Sequence, residues 1–229
     1  MSTLTVDPAD AYALWAPTYA SNAHTPLMHV EERTVRALLP DLQGATVVDV
    51  GCGTGRYLAL AHAFGARRLI GIDPSAAMLA RVQVAPARLM RGGVENLPLR
   101  PRVADVTICA LTLGHVPSLP RAFEELARVT RAGGVLICSE LHPIGAALGW
   151  RRTFTARGRR YSVRDAGHSL DDWRSASAAA GWLEQVCAEP SLQRHDVPPG
   201  ATVDPRIMTV PSALVLRLVR SNGDREECR

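Results

Sequence analysis

Asp49, Gly51, Gly53, Gly55 and Asp73 are the residues whose types and spacing point most directly to chemistry. A β-favouring run, Ala45-Thr-Val-Val-Asp49-Val, leads into the glycines, which stand at alternate positions, and an apolar helical stretch follows at once. That order is a buried strand, a glycine turn and a helix N-terminus. Such a turn lets backbone amides approach a ligand closely, because glycine has no Cβ in the way. The spacing is G-x-G-x-G, not the G-x-G-x-x-G of a dinucleotide site. Asp73 closes the next strand in Leu69-Ile-Gly-Ile-Asp73-Pro74-Ser. A carboxylate at a strand's C-terminal end can accept two hydrogen bonds from a ribose diol. Asp49, beside the turn, suits an ammonium group of the kind an amino-acid end carries.

Three histidines fall where a second molecule would sit: His115 after the fourth strand, His142 after the fifth and His168 before a late helix. Strand C-termini line the crevice of an open α/β fold. An imidazole titrates near neutrality, so each is a candidate base or substrate contact, and each is equally a candidate capping or packing residue. His24, His29, His62 and His195 read as lid, helix-surface or loop residues. No pair has metal-ligand spacing on a common element, so no metal site is expected. Arg151, Arg152, Arg157, Arg159, Arg160 and Arg164 are the densest charge in the chain. A solvated cap is the expectation for them. The alternative is an anion site for a carboxylated substrate or an acidic carrier protein. Strand alternation puts Arg159 and Arg160 on opposite faces, so only a subset could meet one ligand.

The elements that must position these residues alternate. Strands are predicted near 45–50, 69–73, 87–92, 104–111 and 134–141, with helices near 54–64, 75–83 and 118–131. That rhythm implies a parallel, doubly wound sheet. Ala132-Gly-Gly134 reads as a helix stop leading into a strand. Before the sheet, helices are expected over 7–20, ended or kinked by Pro17, and over 27–39 after Thr25-Pro26. Tyr12, Trp15 and Tyr19 share one face of the first, an aromatic lid face. Beyond the sheet, 151–155 and 159–163 form a hairpin around Ala156-Arg-Gly158. A helix over 171–180, capped near Ser169 or Asp171, and strands at 182–188 and 212–220 complete the chain. Residues 189–211 hold Pro190, Pro198, Pro199 and Pro205, with Pro211 at the last strand's edge, and are expected as loop, and the polar tail from Ser221 as frayed.

A ligand that joins a ribose to an amino-acid end is S-adenosylmethionine. With Tyr12-Ala-Leu-Trp-Ala-Pro-Thr-Tyr19, Val47-Val-Asp-Val-Gly-Cys-Gly-Thr-Gly55, Gly71-Ile-Asp-Pro-Ser-Ala-Ala-Met-Leu79, Glu95-Asn-Leu-Pro98, Ala104-Asp-Val-Thr-Ile-Cys109, Leu113-Gly-His-Val116 and Ala132-Gly-Gly134 in this order, the chain resembles a class I S-adenosylmethionine-dependent methyltransferase. It is similar in pattern to the group of quinone-biosynthesis C-methyltransferases and malonyl-carrier-protein O-methyltransferases, well over 10–141 and in outline beyond. The resemblance implies a Rossmann-like, seven-stranded α/β sheet whose last strand is antiparallel. It further implies that Asp49, Gly51, Gly53 and Gly55 hold the methionine part, with Cys52 in the same turn. Asp73 would take the ribose hydroxyls beside Pro74, and Met78 would pack on the adenine. Val94 and Glu95 would meet the adenine edge, Leu111 the sulfonium side, and Tyr19 would close the pocket or simply pack. Relatives often carry Gly-Asp-Ala-Glu where this chain has Gly92-Gly93-Val94-Glu95, so Gly93 replaces the aspartate that would bind the adenine amino group.

Composition narrows the remaining classes. Of 229 residues 47% are hydrophobic and 21% charged, the balance of an ordinary globular domain. All 26 basic residues are arginine and the net charge is +4; no aromatic-interleaved basic stripe points to nucleic acid. No apolar stretch is long enough to span a membrane, and the first residues lack the regions of a secretory signal, so the cytoplasm is expected. Cys52, Cys109, Cys138, Cys187 and Cys228 are scattered, which fits reduced thiols. One domain is expected over 1–229: a helical lid (1–40), a cofactor-binding core (41–141), a hairpin cap (142–170) and a C-terminal helix and strands (171–229). The expected reaction is methyl transfer to a small-molecule acceptor, carboxylated or carrier-bound as options, releasing S-adenosyl-L-homocysteine. The alternatives are a cofactor-bound cyclase or rearrangement enzyme, and a non-catalytic cofactor-binding module.

Overall fold

The computed structural model describes residues 3–197, 203 and 205–222. The chain opens with β1 (Leu4–Val6) and α1 (Pro8–Trp15), and a 3-10 turn at Ala16–Thr18 separates these from α2 (Pro26–Leu38). Pro8 sits in the first turn of α1 and Pro17 stops it, since the proline ring offers no N–H to continue a helix. Thr25 caps α2: its hydroxyl oxygen accepts from the Met28 amide at 3.2 Å.

The alternating section follows as β2 (Thr46–Val50), α3 (Arg56–Ala63), β3 (Arg68–Asp73), α4 (Ala76–Leu79), β4 (Arg88–Arg91), β5 (Ala104–Ala110), α5 (Leu119–Val129) and β6 (Thr130–Leu141). After it come α6 (Pro143–Ala147), β7 (Thr153–Ala156), β8 (Arg159–Val163), α7 (Leu170–Ala179), β9 (Trp182–Ala188) and β10 (Ala213–Arg220). Seven strands form one sheet in the order β4-β3-β2-β5-β6-β10-β9. β2 pairs in parallel with β3 and β5, and β10 runs antiparallel to both its neighbours. This is the doubly wound sheet that the alternation predicts, with the antiparallel last strand that the resemblance implies. Every residue of β2 is buried, because helices cover both faces. One face packs on Phe123, Leu126 and Trp173, the other on Val35, Tyr57 and Leu58.

The differences lie at the edges. α5 stops at Val129, and Gly133, with φ +68°, falls inside β6 instead of ending a helix. The β5–β6 pairing shifts register there, between Ala104 and Val106. α4 is half the expected length. β1 is too short to leave a periodic signal, yet it pairs in parallel with β8, making a second sheet in the order β1-β8-β7. The N-terminal segment and the hairpin therefore form one cap layer. Arg157 (φ +49°) and Gly158 (φ +70°) are both left-handed, as a two-residue I′ hairpin turn requires. Trp15 of α1 stacks on Phe154 of β7 at 4.7 Å, which seals helix to hairpin. The expected loop over 189–211 contains 3-10 turns at Arg194–Asp196 and Pro205–Met208. Pro198, Pro199, Cys228 and residues 223–229 of the tail lie outside the described residues. Among the described residues, no helix is long and apolar enough to cross a membrane.

Candidate functional site

A cavity of about 680 Å³ opens between the cap layer and the C-terminal ends of the central strands. Its wall includes Tyr19, Asp49, Gly51, Cys52, Gly53, Asp73, Pro74, Met78, Val94, Glu95 and Leu111. Of the sequence-predicted cofactor residues, Gly55 is the one outside the wall; it caps α3 against Val82. Gly51 is required twice over: its φ is +73°, and a Cβ there would lie 2.1 Å from Thr112 Oγ1.

The two aspartates are set differently by their surroundings. Asp73 Oδ2 accepts from the Gly53 amide and Oδ1 from the Ser75 amide, both at 2.8 Å. The carboxylate plane is thereby fixed, and lone pairs remain for two further donors. Burial raises its pKa, against the pull of those two amides. Asp49 is 2% exposed, and its Oδ2 has no hydrogen-bond partner among the described residues. Burial pushes its carboxyl up to about 7, opposed by Arg56 and reinforced by Asp73. A buried carboxylate oxygen without a partner is costly, and a cationic ligand group on the cavity side would satisfy it. Leu111 follows β5 with φ +54°, a left-handed conformation costing about 1–3 kcal/mol in a residue with a side chain. Its amide donates to Ser139 O at 2.8 Å, which holds it on the wall.

The cap end of the cavity is polar. Tyr12, His115 and Arg152 line it, with Glu140 behind them. His115 Nδ1 lies 3.1 Å from the Arg164 carbonyl, so that nitrogen carries the hydrogen and donates. The Nε2 lone pair then faces the Tyr12 hydroxyl at 2.9 Å and the Arg152 guanidinium. Burial, with Arg152 beside it, lowers the His115 pKa to about 3. The ring is neutral and its free nitrogen is already occupied, which makes it a poor base. Glu140 accepts from the Gly114 amide at 2.7 Å and the Leu141 amide at 2.9 Å, and it pairs with Arg152. The hairpin charge is therefore not uniformly solvated: Arg157, Arg159 and Arg160 are exposed, whereas the Arg152 side chain is 13% exposed and turned inward.

The other two predicted histidines stand outside the cavity wall. His142 is buried; its Nε2 meets Glu189 at 2.9 Å and its Nδ1 accepts from the Ile144 amide. His168 Nε2 donates to the Val116 carbonyl at 2.7 Å. Among the described residues no cluster of three acidic, histidine or cysteine side chains could hold a metal ion.

Residues 48–138 match the family described as a methyltransferase domain. A malonyl-[acyl-carrier protein] O-methyltransferase of Pectobacterium atrosepticum is 42% identical over 107 residues, which are 46% of this chain and 42% of that protein. The like-named protein of Serratia marcescens is 30% identical over 156 residues, 67% of this chain and 55% of that one. A solved S-adenosylmethionine dependent methyltransferase from Mesorhizobium loti superposes with a TM-score of 0.68 at 24% identity, over 83% of this chain and 98% of that one. At that identity it speaks for the fold. The chain carries a methyltransferase domain over residues 48–138, on a fold shared with that solved protein. It spans about half the length of the curated relatives it matches.

The residues of the cavity fit S-adenosylmethionine, the cofactor named for the solved structure of similar fold. Asp49 has a carboxylate oxygen without a partner among the described residues, which a ligand ammonium would satisfy, and Asp73 keeps acceptor capacity for a diol. At Gly53 a Cβ would meet nothing within 4 Å, so the turn is open toward the ligand side. Sequence reasoning missed Glu31, Arg56, Tyr57 and Glu140. Glu31 falls on the buried face of α2 with Met28, Val30 and Val35, and Glu140 ends an apolar strand run. A charge on an apolar face was the available signal in both.

Proposed function

We propose that the protein transfers a methyl group from S-adenosylmethionine to a small molecule that presents a carboxylate. The observation that carries the cofactor half is Asp49, which lines the cavity together with Asp73 and has a buried Oδ2 without a hydrogen-bond partner among the described residues. When bound, the cofactor supplies an electrophilic methyl on a sulfonium. Asp49 would hold its ammonium group and the Asp73 carboxylate its ribose hydroxyls. Gly51, Cys52, Gly53 and Pro74 would shape the floor, and Met78, Val94 and Glu95 would receive the adenine. Leu111 would lie on the sulfonium side, and Tyr19 would close the pocket from the lid. The remaining task is alignment of the nucleophile and the methyl carbon at about 3 Å with water excluded, which the aromatic cap serves.

The acceptor half rests on Arg152 and His115. A hydroxyl or carbon acid needs a base; the imidazole in the cavity is neutral with its free nitrogen taken. A carboxylate needs none, and Arg152 gives it a cation. The names of the malonyl-carrier relatives support this choice. The exposed arginines of the hairpin then offer an acidic carrier protein a face beside the cavity. Incubation with methyl-labelled cofactor and a panel of carboxylic acids and acyl-carrier acids tests it. Label recovered as a methyl ester supports the reading. Product without label points to a cofactor-assisted rearrangement, and binding without product to a non-catalytic module.

A further inference from the structure

We propose that Arg56 recognises the carboxylate of the cofactor's methionine end, and that Glu31 is the positioning residue that holds Arg56 there. This rests on the cofactor reading above. The methionine end carries opposite charges side by side. Asp49 answers the ammonium, so the carboxylate calls for a cation at the same end of the cavity.

The cavity wall offers Arg56, Arg151 and Arg152. Arg152 belongs to the cap end, engaged by Glu140 and His115. Arg151 precedes β7 in the cap and donates to the Trp150 carbonyl at 2.7 Å. Arg56 instead opens α3 directly behind the glycine turn, and its side chain is 14% exposed.

Its placement is fixed from three elements. Glu31 of α2 is fully buried. Its Oε2 accepts from Arg56 Nη2 at 2.9 Å, and its Oε1 accepts from the Tyr57 hydroxyl at 2.7 Å and the Ser139 hydroxyl at 2.6 Å. Arg56 Nη1 reaches Glu32 at 3.2 Å, and the guanidinium lies 4.3 Å over the Tyr57 ring. These contacts occupy two of the five N–H donors of a guanidinium, leaving others for a ligand carboxylate. A buried ion pair adds little net stability over apolar packing, so the retained charge fits a role in aiming the guanidinium.

The test compares calorimetric binding of S-adenosylmethionine with that of its decarboxylated form, which keeps the sulfonium and the ammonium. Arg56→Gln is expected to weaken S-adenosylmethionine roughly 10- to 100-fold, the worth of a hydrogen bond to a charged group, and to leave the decarboxylated ligand nearly unchanged. Glu31→Gln is expected to move the ratio of the two affinities the same way by a smaller factor, with Arg56→Lys partly restoring it relative to Arg56→Gln. Loss of fold would weaken both ligands alike. If Arg56→Gln does not fold, the Glu31→Gln ratio decides. An unchanged ratio in the variants, or equal wild-type affinity for the two ligands, overturns the assignment and leaves the cofactor reading intact. Wild-type protein that binds neither ligand overturns the cofactor reading itself.

Discussion

The Tyr12 hydroxyl lies 2.9 Å from His115 Nε2, joining the first helix of the cap to the turn that follows β5. Arg152, just ahead of β7, converges on the same nitrogen. One imidazole thus ties the lid helix, the hairpin and the core together at the cap end of the cavity. Tyr12→Phe keeps the ring stacked on Trp15 and removes the hydroxyl. It should cost about 0.5–1.5 kcal/mol in urea unfolding, the range of one such hydrogen bond, and raise the acceptor KM more than it lowers kcat.

The His115 pKa of about 3 gives a pH prediction. Unfolded, the ring titrates near its ordinary 6.5; folded, it stays neutral to much lower pH. Between those values the unfolded chain binds the extra proton, so this group's contribution to stability falls as pH drops below 6.5. The wild type should lose more stability from pH 7 to pH 5 than His115→Gln does, by urea unfolding at both. Equal losses would mean that the ring protonates in the fold.

Asp49 has the opposite sign. Its folded pKa of about 7 exceeds the ordinary 3.8, so the folded chain binds more protons between those values and loses stability as pH rises through them. Asp49→Asn removes that cost. At pH 8 the ligand-free variant should melt several degrees higher, at about 2–4 °C per kcal/mol for a chain of this size, while binding S-adenosylmethionine more weakly. A lower melting temperature together with unchanged affinity would contradict the placement of an unpartnered carboxylate on the binding wall.

Much of this site is legible in the sequence, for physical reasons. The Asp49-to-Gly55 turn and the strand ending at Asp73 are local: β-favouring residues, glycines and carboxylates within a few positions specify both backbone and chemistry. The sheet follows from the same regular alternation. The cap end is non-local. Arg152 is one of six arginines in its stretch, and only the meeting of β6, α1 and the hairpin turns it inward while Arg157 and Arg159 face water. His115, His142 and His168 look alike along the chain, yet Glu189 is 47 residues from His142 and Val116 is 52 from His168. Those distant partners place the two rings outside the cavity wall. β1, three residues long, gains its pairing only because β8 lies alongside it.

Arg152 separates acceptor binding from cofactor binding. Arg152→Gln should raise the KM for a carboxylated acceptor by roughly 10- to 100-fold, the worth of a charge-assisted contact, with cofactor affinity preserved. Glu140→Gln should do the same more weakly, because Glu140 acts by holding Arg152. Steady-state kinetics with each substrate varied in turn checks both. An effect confined to the cofactor KM would move Arg152 out of the acceptor site.

In the proposed function the glycine turn, Asp49 and Asp73 hold S-adenosylmethionine. Isothermal calorimetry of the wild type and of Asp73→Ala tests it most directly. Losing two hydrogen bonds to a carboxylate should weaken binding by roughly 100-fold or more, while the wild type binds one equivalent of cofactor per chain. Equal S-adenosylmethionine affinity in the two proteins would contradict the assignment.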